Sequence, residues 1–246
     1  MAQLSNKDIK SIKALASKKF RDETGLFTVE GEKMVQEALA SRFEVVSVYR
    51  RDEIGDEAMA RISQLASPSP VLAVVRMPAD LEASPAAPAS GLYLALDSIR
   101  DPGNLGTIMR IADWFGIRSV MASRDTVGIF NPKVVQASMG AIFRVDFHYV
   151  DLQEFALSVL KCGGKVYGTF LDGFDIYGRE LESGLERPSV IVIGNEANGI
   201  SAGMEALVSD RLFIPPYPAD DPGSESLNAA VATAITVAEF RRRLPR

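Results

Sequence analysis

Three short segments of this chain carry side chains whose types and spacing suit chemistry. The first runs Asp101-Pro102-Gly103-Asn104-Leu105-Gly106-Thr107-Ile108-Met109-Arg110. Pro102 and Gly103 set a turn, Asn104 is placed to cap a helix, and Gly106 permits close backbone approach. Arg110 falls about one and a half turns into that helix. A guanidinium there can grip a phosphate or a developing oxyanion, or simply form a surface ion pair. The second segment, Gly194-Asn195-Glu196-Ala197-Asn198-Gly199-Ile200, follows an apolar strand. A strand, a glycine loop and an adjacent helix start suit an anion or a nucleotide. Glu196 is equally readable as a carboxylate that stabilises a helix start. The third begins at Ile214-Pro215-Pro216-Tyr217 and resumes at Gly223-Ser224-Glu225-Ser226-Leu227-Asn228. Ser226 and Asn228 sit where the last helix is expected to begin, and Ser226 could be only its N-cap. None of the three is a GxGxxG fingerprint or a Walker loop, so a dinucleotide site or a phosphate-gripping NTPase finds no support.

The elements that must position these segments follow from hydrophobic periodicity. Ser5 and Asp8 resemble a capping box ahead of Ile9, Ile12, Leu15 and Ala16, with Lys7, Lys10 and Lys13 on a neighbouring face. Strands are expected at 26–29, 45–49 and 71–75, with helices through Met34–Leu39 and from 56 to 65. From Met77 to Gly91 the composition shifts to proline, serine and alanine, which marks a linker. The expected division is a first domain over 1–80, a linker over 81–91 and a second domain over 92–246. In the second domain strands are expected at 92–96, 119–122, 143–145, 165–169, 189–193 and 212–214. Helices are expected at 105–115, 133–139, 152–160 and 227–244. Strands alternating with helices predict an α/β fold, and ligands of open parallel sheets bind at the C-terminal strand ends, which all three segments follow.

Composition narrows the function classes. The chain has 246 residues, 47% hydrophobic and 24% charged, which is ordinary for a globular protein. No stretch approaches the roughly 20 apolar residues that cross a bilayer, and the N-terminus lacks an apolar signal region. A lone cysteine, Cys162, precludes an internal disulfide or a cysteine-cluster metal site, and is expected to be a buried thiol. These features are those of a cytoplasmic protein without a metal. The formal net charge of −5 looks unsuited to nucleic acid. Its distribution matters more: Lys7, Lys10, Lys13, Lys18, Lys19 and Arg21 face only Asp8 in the first 21 residues, a candidate RNA footprint or a solvated helix face.

Taken together and in order, the three segments resemble the SpoU/TrmH branch of the SPOUT methyltransferases. The resemblance rests on Asn104, Gly106 and Arg110; on Gly194, Glu196, Gly199 and Ile200; and on Ile214, Pro215, Ser226, Leu227 and Asn228. Asn131-Pro132-Lys133 and Ala137-Ser138-Met139-Gly140-Ala141 are also similar to the family. The N-terminal part resembles the family's small α/β substrate-binding domain of ribosomal-protein type, through Lys19, Arg21, Gly25, Phe27, Glu30 and Gly31. The resemblance implies a C-terminal α/β domain with a deep trefoil knot, against the usual rules of chain connection. It also implies a homodimer with each active site near the subunit interface, and S-adenosylmethionine (AdoMet) held around Gly194, Ile214 and Leu227, with Thr169 as a further contact. The activity implied is methyl transfer to a ribose 2′-hydroxyl of ribosomal or transfer RNA. The segment from Pro216 to Glu225 departs from the family in being longer and acidic.

For such a reaction the hydroxyl must be oriented and relieved of its proton. The only histidine, His148, lies outside all three segments and reads as structural or surface. The family's matching arginine has been taken as the base, but arginine ordinarily stays charged. Arg110 is therefore expected to clamp the target phosphate and hydroxyl, with Asn104, Ser226 and Asn228 orienting it and the ribose, and Glu196 holding the loop or countering Arg110. Two other readings stay open: an RNA-binding module that keeps the knotted fold without turnover, and a Rossmann-type redox enzyme. Retention of Arg110, Asn104 and Asn228 weighs against the first, and the absent glycine fingerprint against the second.

Overall fold

The structure is a computed structural model that describes residues 4–81, 90–182, 184–218 and 225–244. Contacts divide it into two compact units. One comprises the described residues up to Ala79 together with Gly128–Arg144; the other comprises Asp80–Val127 and the described residues from Val145 onward. The division expected from chain order left 128–144 in the second domain. Two of its rings explain why contacts assign it to the first unit: Phe130 stacks on Phe27 at 4.3 Å, and Phe143 meets Phe43 edge-on at 5.1 Å. Most of the expected linker, 82–89, lies outside the described residues.

The first unit opens with α1 (Asn6–Ala14). The Ser5 hydroxyl caps the helix by accepting from the Asp8 N–H at 3.2 Å, as the sequence predicts, and donates to the Asp8 carboxylate at 2.6 Å, so the second bond joins the two side chains. Then come α2 (Lys18–Thr24), β1 (Leu26–Glu30), α3 (Glu32–Ala40), β2 (Val45–Arg50), α4 (Arg51–Ile54), α5 (Asp56–Ile62) and β3 (Val71–Arg76). The strands form an antiparallel sheet in the order β1-β3-β2. Ile9, Ile12, Leu15, Met59, Ile62, Leu72 and Val74 make one core cluster, so the apolar stripe of α1 faces the sheet and its lysines face solvent.

The second unit begins with β4 (Gly91–Leu96), α6 (Pro102–Trp114) and β5 (Ser119–Ala122). The chain then contributes α7 (Pro132–Ser138) and a 3-10 turn (Ala141–Phe143) to the first unit. It resumes with β6 (Asp146–Tyr149), α8 (Leu152–Lys161), β7 (Lys165–Asp175), β8 (Pro188–Ile193), α9 (Ala202–Glu205), β9 (Asp210–Phe213) and α10 (Ala229–Arg242). The six strands are all parallel, in the order β6-β5-β4-β8-β7-β9. β8 lies between β4 and β7 and is buried along its whole length, as its unbroken apolar run requires. The α/β fold with a small α/β unit ahead of a parallel sheet is the one expected.

Several expectations shift. The strand predicted at 143–145 is instead the end of a 3-10 turn, and β6 starts at Asp146; Met139 and Gly140 take positive φ values of 51° and 94° and turn the chain first. Helix α6 begins three residues early, because the Asp101 carboxylate caps it and Pro102 is suited to the first turn. Helix α10 begins later than predicted because Asn228 is its cap. Cys162 is exposed rather than buried, at the C-terminal end of α8.

Candidate active site

In the parallel sheet, chain order runs outward from β4 to β5 and β6, then crosses to the other side for β7, β8 and β9. The switch point lies between β4 and β8, and the loops leaving their C-terminal ends carry the first two motif segments. Three hydrogen bonds join those loops. Ile193 accepts from the Asp97 N–H at 2.9 Å, Asp97 Oδ2 accepts from the Ser201 N–H at 2.7 Å, and Asn195 Nδ2 donates to the Ser98 carbonyl at 2.7 Å. Ser98 holds a positive φ of 61°, and its hydroxyl donates to Asp125 Oδ2 at 2.6 Å. The hydroxyls of Ser98 and Ser123 keep the Asp125 carboxyl below the usual range.

The second segment folds back on itself. Asn195 and Gly199 exchange backbone hydrogen bonds, both 2.9 Å, and Asn195 Oδ1 accepts from the N–H groups of Ala197 and Asn198. Gly194 is required here: a Cβ on it would overlap the Gly199 carbonyl carbon and the Ile200 nitrogen. The reversal leaves the Glu196 side chain exposed at its outer end.

Asn104 brings all three segments together. Its backbone N–H caps onto Asp101 Oδ1 at 2.7 Å, and its side chain is only 8% exposed. Asn104 Nδ2 donates to Glu196 Oε1 at 2.6 Å, while Asn104 Oδ1 accepts from Asn228 Nδ2 at 2.8 Å. A carboxylate can only accept, so Glu196 sets which end of the Asn104 amide faces it, and the other end must then accept from Asn228. Asn228 Oδ1 in turn accepts from the N–H groups of Ala230 and Val231 and starts α10. One hydrogen-bonded chain thus links the loop after β8, the first turn of α6 and the cap of α10.

Arg110 is on a different face of α6. With Gly103, Thr107 and Trp114 it forms an exposed stripe at helical spacing, while Asn104, Leu105, Ile108, Met109 and Ala112 face inward. Among the described residues Arg110 makes no hydrogen bond or ion pair, and the bonds of Asn104, Glu196 and Asn228 join those three residues to one another. Trp114 is 84% exposed. Ser226 and Leu227 are exposed just ahead of the Asn228 cap, so Ser226 is not the N-cap.

Of the residues expected around a cofactor, three lie on or just after the neighbouring strands β8, β7 and β9, with Thr169 within β7, and Leu227 stands just ahead of the α10 cap. Thr169 pairs across to Leu212 and its hydroxyl donates to the Val192 carbonyl at 3.3 Å; Gly194 and Ile214 directly follow β8 and β9. In the first unit, Lys7, Lys10, Lys13, Lys18 and Lys19 are exposed, with Lys18 and Lys19 paired to Asp22 and Glu23 at 2.7 and 3.8 Å. Arg21 departs from that set: it is 4% exposed and its guanidinium donates to the Leu15 and Ala16 carbonyls at 2.9 and 2.8 Å, closing the end of α1. The supporting residues Asp97, Asp101 and Asn195 were not singled out from sequence. The Asp-Pro pair at 101–102 was a readable helix-start signal, whereas the bonds of Asp97 and Asn195 depend on strand neighbours.

Similarity to known proteins follows the same two-part layout. Residues 91–238 match the model of the SpoU rRNA Methylase family, and residues 6–74 match that of an MRM3-like substrate binding domain. A relative in Bacillus subtilis, the 23S rRNA (guanosine(2553)-2'-O)-methyltransferase RlmP, is 30% identical over 96% of each chain. A solved structure from Porphyromonas gingivalis, assigned to the TrmH family of RNA methyltransferases, is 37% identical with a TM-score of 0.86, over 99% of this chain and 100% of that one. The AdoMet-bound rRNA methyltransferase from Sinorhizobium meliloti is 28% identical with a TM-score of 0.86, over 100% of this chain and 98% of that one. With its second unit matched almost throughout and a full-length relative at 30% identity, the chain belongs to the SpoU rRNA methylase family.

Proposed function

We propose that this protein transfers a methyl group from AdoMet to a ribose 2′-hydroxyl of structured RNA, with ribosomal RNA as the favoured substrate class. The single observation that carries the reading is the bridge from Asn104 to both Glu196 and Asn228, which gathers three distant motifs at the switch point of a parallel sheet. Family membership and the names of the Bacillus and Sinorhizobium relatives support the same chemistry.

The residues present suit AdoMet. Thr169 within β7 and the residues just after β8 and β9, Gly194 and Ile214, offer backbone groups on adjacent strands, and Gly194 leaves room for no side chain. Leu227, 48% exposed, offers apolar surface for a purine ring. Bound there, AdoMet supplies an activated methyl on a sulfonium whose leaving group departs as a neutral thioether. The loops after β8 and β9 would be the knot loops that the family resemblance implies.

The chain's own contribution is positioning and electrostatics. Arg110 holds the target phosphate and hydroxyl and stabilises the developing alkoxide as its proton passes to solvent water. Asn104, Glu196 and Asn228 are positioning residues that fix the loop after β8 against the cap of α10. Ser226 and Leu227 thereby stand in a set place, Ser226 toward the ribose and Leu227 toward the cofactor. Lys7, Lys10, Lys13, Lys18 and Lys19 carry RNA phosphates. The protein acts as a homodimer in the cytoplasm: association through the exposed stripe of α6 covers Trp114 and brings Arg110 to a subunit boundary. Sedimentation at micromolar concentration should give about twice the 26.6 kDa chain mass, and a monomer active at full rate contradicts the dimer.

The direct test is transfer of labelled methyl from AdoMet to total RNA, followed by mapping of the ribose methyl. Binding of AdoMet and RNA without any transfer would favour the non-catalytic module instead.

A further inference from the structure

Ser98 lies just past the end of β4, ahead of the first motif segment, and its φ of 61° is in the left-handed region. A residue with a Cβ seldom adopts that conformation, because the Cβ then crowds the following carbonyl. Such strain persists only where the surrounding bonds enforce it, and it concentrates at functional sites. Each polar group of Ser98 is engaged. Its N–H donates to Ser123 Oγ at 2.8 Å, its hydroxyl donates to Asp125 Oδ2 at 2.6 Å, and its carbonyl accepts from Asn195 Nδ2 at 2.7 Å.

Asp125 stands behind this arrangement. Its Oδ1 accepts from the Ser123 hydroxyl at 2.7 Å, and Arg100 donates to its Oδ2 at 3.3 Å. Both serine hydroxyls direct their protons at Asp125, so the position calls for an ionised carboxylate, which only accepts. The turn that carries Asp125 is anchored on β4, where the Leu96 carbonyl accepts from the Ser123 N–H at 3.0 Å and from the Thr126 hydroxyl at 3.3 Å.

On its other side Ser98 meets an equally directional partner. Asn195 Oδ1 already accepts from the N–H groups of Ala197 and Asn198 inside the loop after β8, so the Nδ2 end points outward and needs a carbonyl. Rotating Ser98 to a negative φ moves its carbonyl away from Asn195. The loop after β8 then keeps the bond from Ser201 to Asp97 but loses the one from Asn195.

We propose that Asp125 is a positioning residue for the cofactor: it holds Ser98 in the left-handed conformation whose carbonyl fixes Asn195, and through Asn195 it sets the loop that receives AdoMet. The proposal rests on the reading above that the loop after β8 belongs to the AdoMet site. Asp125 acts through Ser98 and Asn195, so its effect falls on the fraction of molecules ready to bind cofactor, and that fraction scales the apparent affinity.

The test compares the full-length wild type with Asp125→Ala, Ser98→Ala and Ser98→Gly by AdoMet calorimetry, methyl transfer to total RNA and melting curves. Ser98→Ala keeps the strained Cβ and loses the bond to Asp125. Ser98→Gly loses both the bond and the strain, since glycine takes positive φ readily. Asp125→Ala and Ser98→Ala should each weaken AdoMet binding about tenfold, the order of the left-handed penalty. Saturating AdoMet should recover most of the turnover, so the loss appears in KM rather than kcat. Ser98→Gly should restore most of the affinity although it removes more of the side chain, and adding Asp125→Ala to it should change little. A side chain that only fills space would rank the variants the other way, with glycine the worst. Equal losses in Ser98→Ala and Ser98→Gly, or wild-type AdoMet affinity in Asp125→Ala, overturn the proposal. Wild-type protein that does not bind AdoMet overturns the reading of the loop itself, and the proposal with it.

Discussion

Asn104 and Glu196 lie 92 residues apart in the chain and share a 2.6 Å hydrogen bond, the amide of one donating to the carboxylate of the other. Because Asn104 also accepts from Asn228 at 2.8 Å, its amide must present a donor on one side and an acceptor on the other. Asn228→Asp tests this arrangement without removing the cap of α10, since a carboxylate still accepts from Ala230 and Val231. It replaces a donor with an acceptor opposite Asn104 Oδ1. Methyl transfer should fall at least tenfold with only a small change in melting temperature. A variant with wild-type turnover would show that the bridge does not position the site.

Gly194→Ala addresses the loop after β8. The added methyl would overlap the Gly199 carbonyl carbon and the Ile200 nitrogen, so the backbone must move. Crowding of this kind costs about 1–3 kcal/mol. Calorimetry should show weaker AdoMet binding at a temperature where the variant is still folded. Unchanged affinity would remove Gly194 from the cofactor site.

The basic N-terminal residues should separate into two kinds. Replacing Lys7, Lys10 and Lys13 with alanine should lower RNA affinity and flatten its salt dependence, with little effect on stability, because all three are exposed. Arg21→Ala should do the opposite: it leaves the Leu15 and Ala16 carbonyls without their donor, so the melting temperature should fall. Equal salt slopes for the triple variant and the wild type would remove the lysines from the RNA footprint.

Glu239 on α10 makes a pH-dependent contribution to stability. Hydrogen bonds from Arg242 and then from Arg243 hold its carboxyl at about 2, against an ordinary 4.5. Arg243 also donates to the Ile176 and Tyr177 carbonyls, so the pair ties α10 to the end of β7. A carboxyl lowered in the folded state stabilises it fully above the unfolded value and loses that contribution as pH falls toward the folded one. Glu239→Gln should therefore melt below the wild type at neutral pH, and the two curves should converge as pH drops from about 4.5 toward about 2. A constant difference across that window would assign the effect to packing.

What could be read from the sequence was local or carried by ordered motifs. The cap at Ser5, the apolar run of β8 and the stripe of α1 follow from spacing alone, and the family followed from Asn104, Arg110, Glu196 and Asn228 taken in order. The four-residue helices α4 and α9 are too short to show a period. The role of Arg21 was hidden because charge in sequence does not reveal burial; only the approach of α2 to the end of α1 does. Placement of 128–144 with the first unit depends on the ring of Phe130 meeting Phe27, a contact between residues about a hundred positions apart that no local pattern encodes.

The central claim is that Arg110 works on the RNA while Thr169 on β7 and the loops after β8 and β9 hold the cofactor. Arg110 is exposed on α6, and among the described residues no hydrogen bond or ion pair joins it to Asn104, Glu196 or Asn228, so its removal should leave the bridge between them intact. Loss of a preorganised charge contact to a developing oxyanion costs roughly 3–4 kcal/mol, a rate loss of about a hundredfold to a thousandfold. The decisive measurement is the single-turnover rate of Arg110→Ala at saturating AdoMet and RNA, with AdoMet affinity and a melting curve on the same sample. The account predicts that rate loss with cofactor affinity within a few fold of wild type and an unchanged melting temperature. A folded Arg110→Ala protein that methylates RNA at the wild-type rate would contradict it.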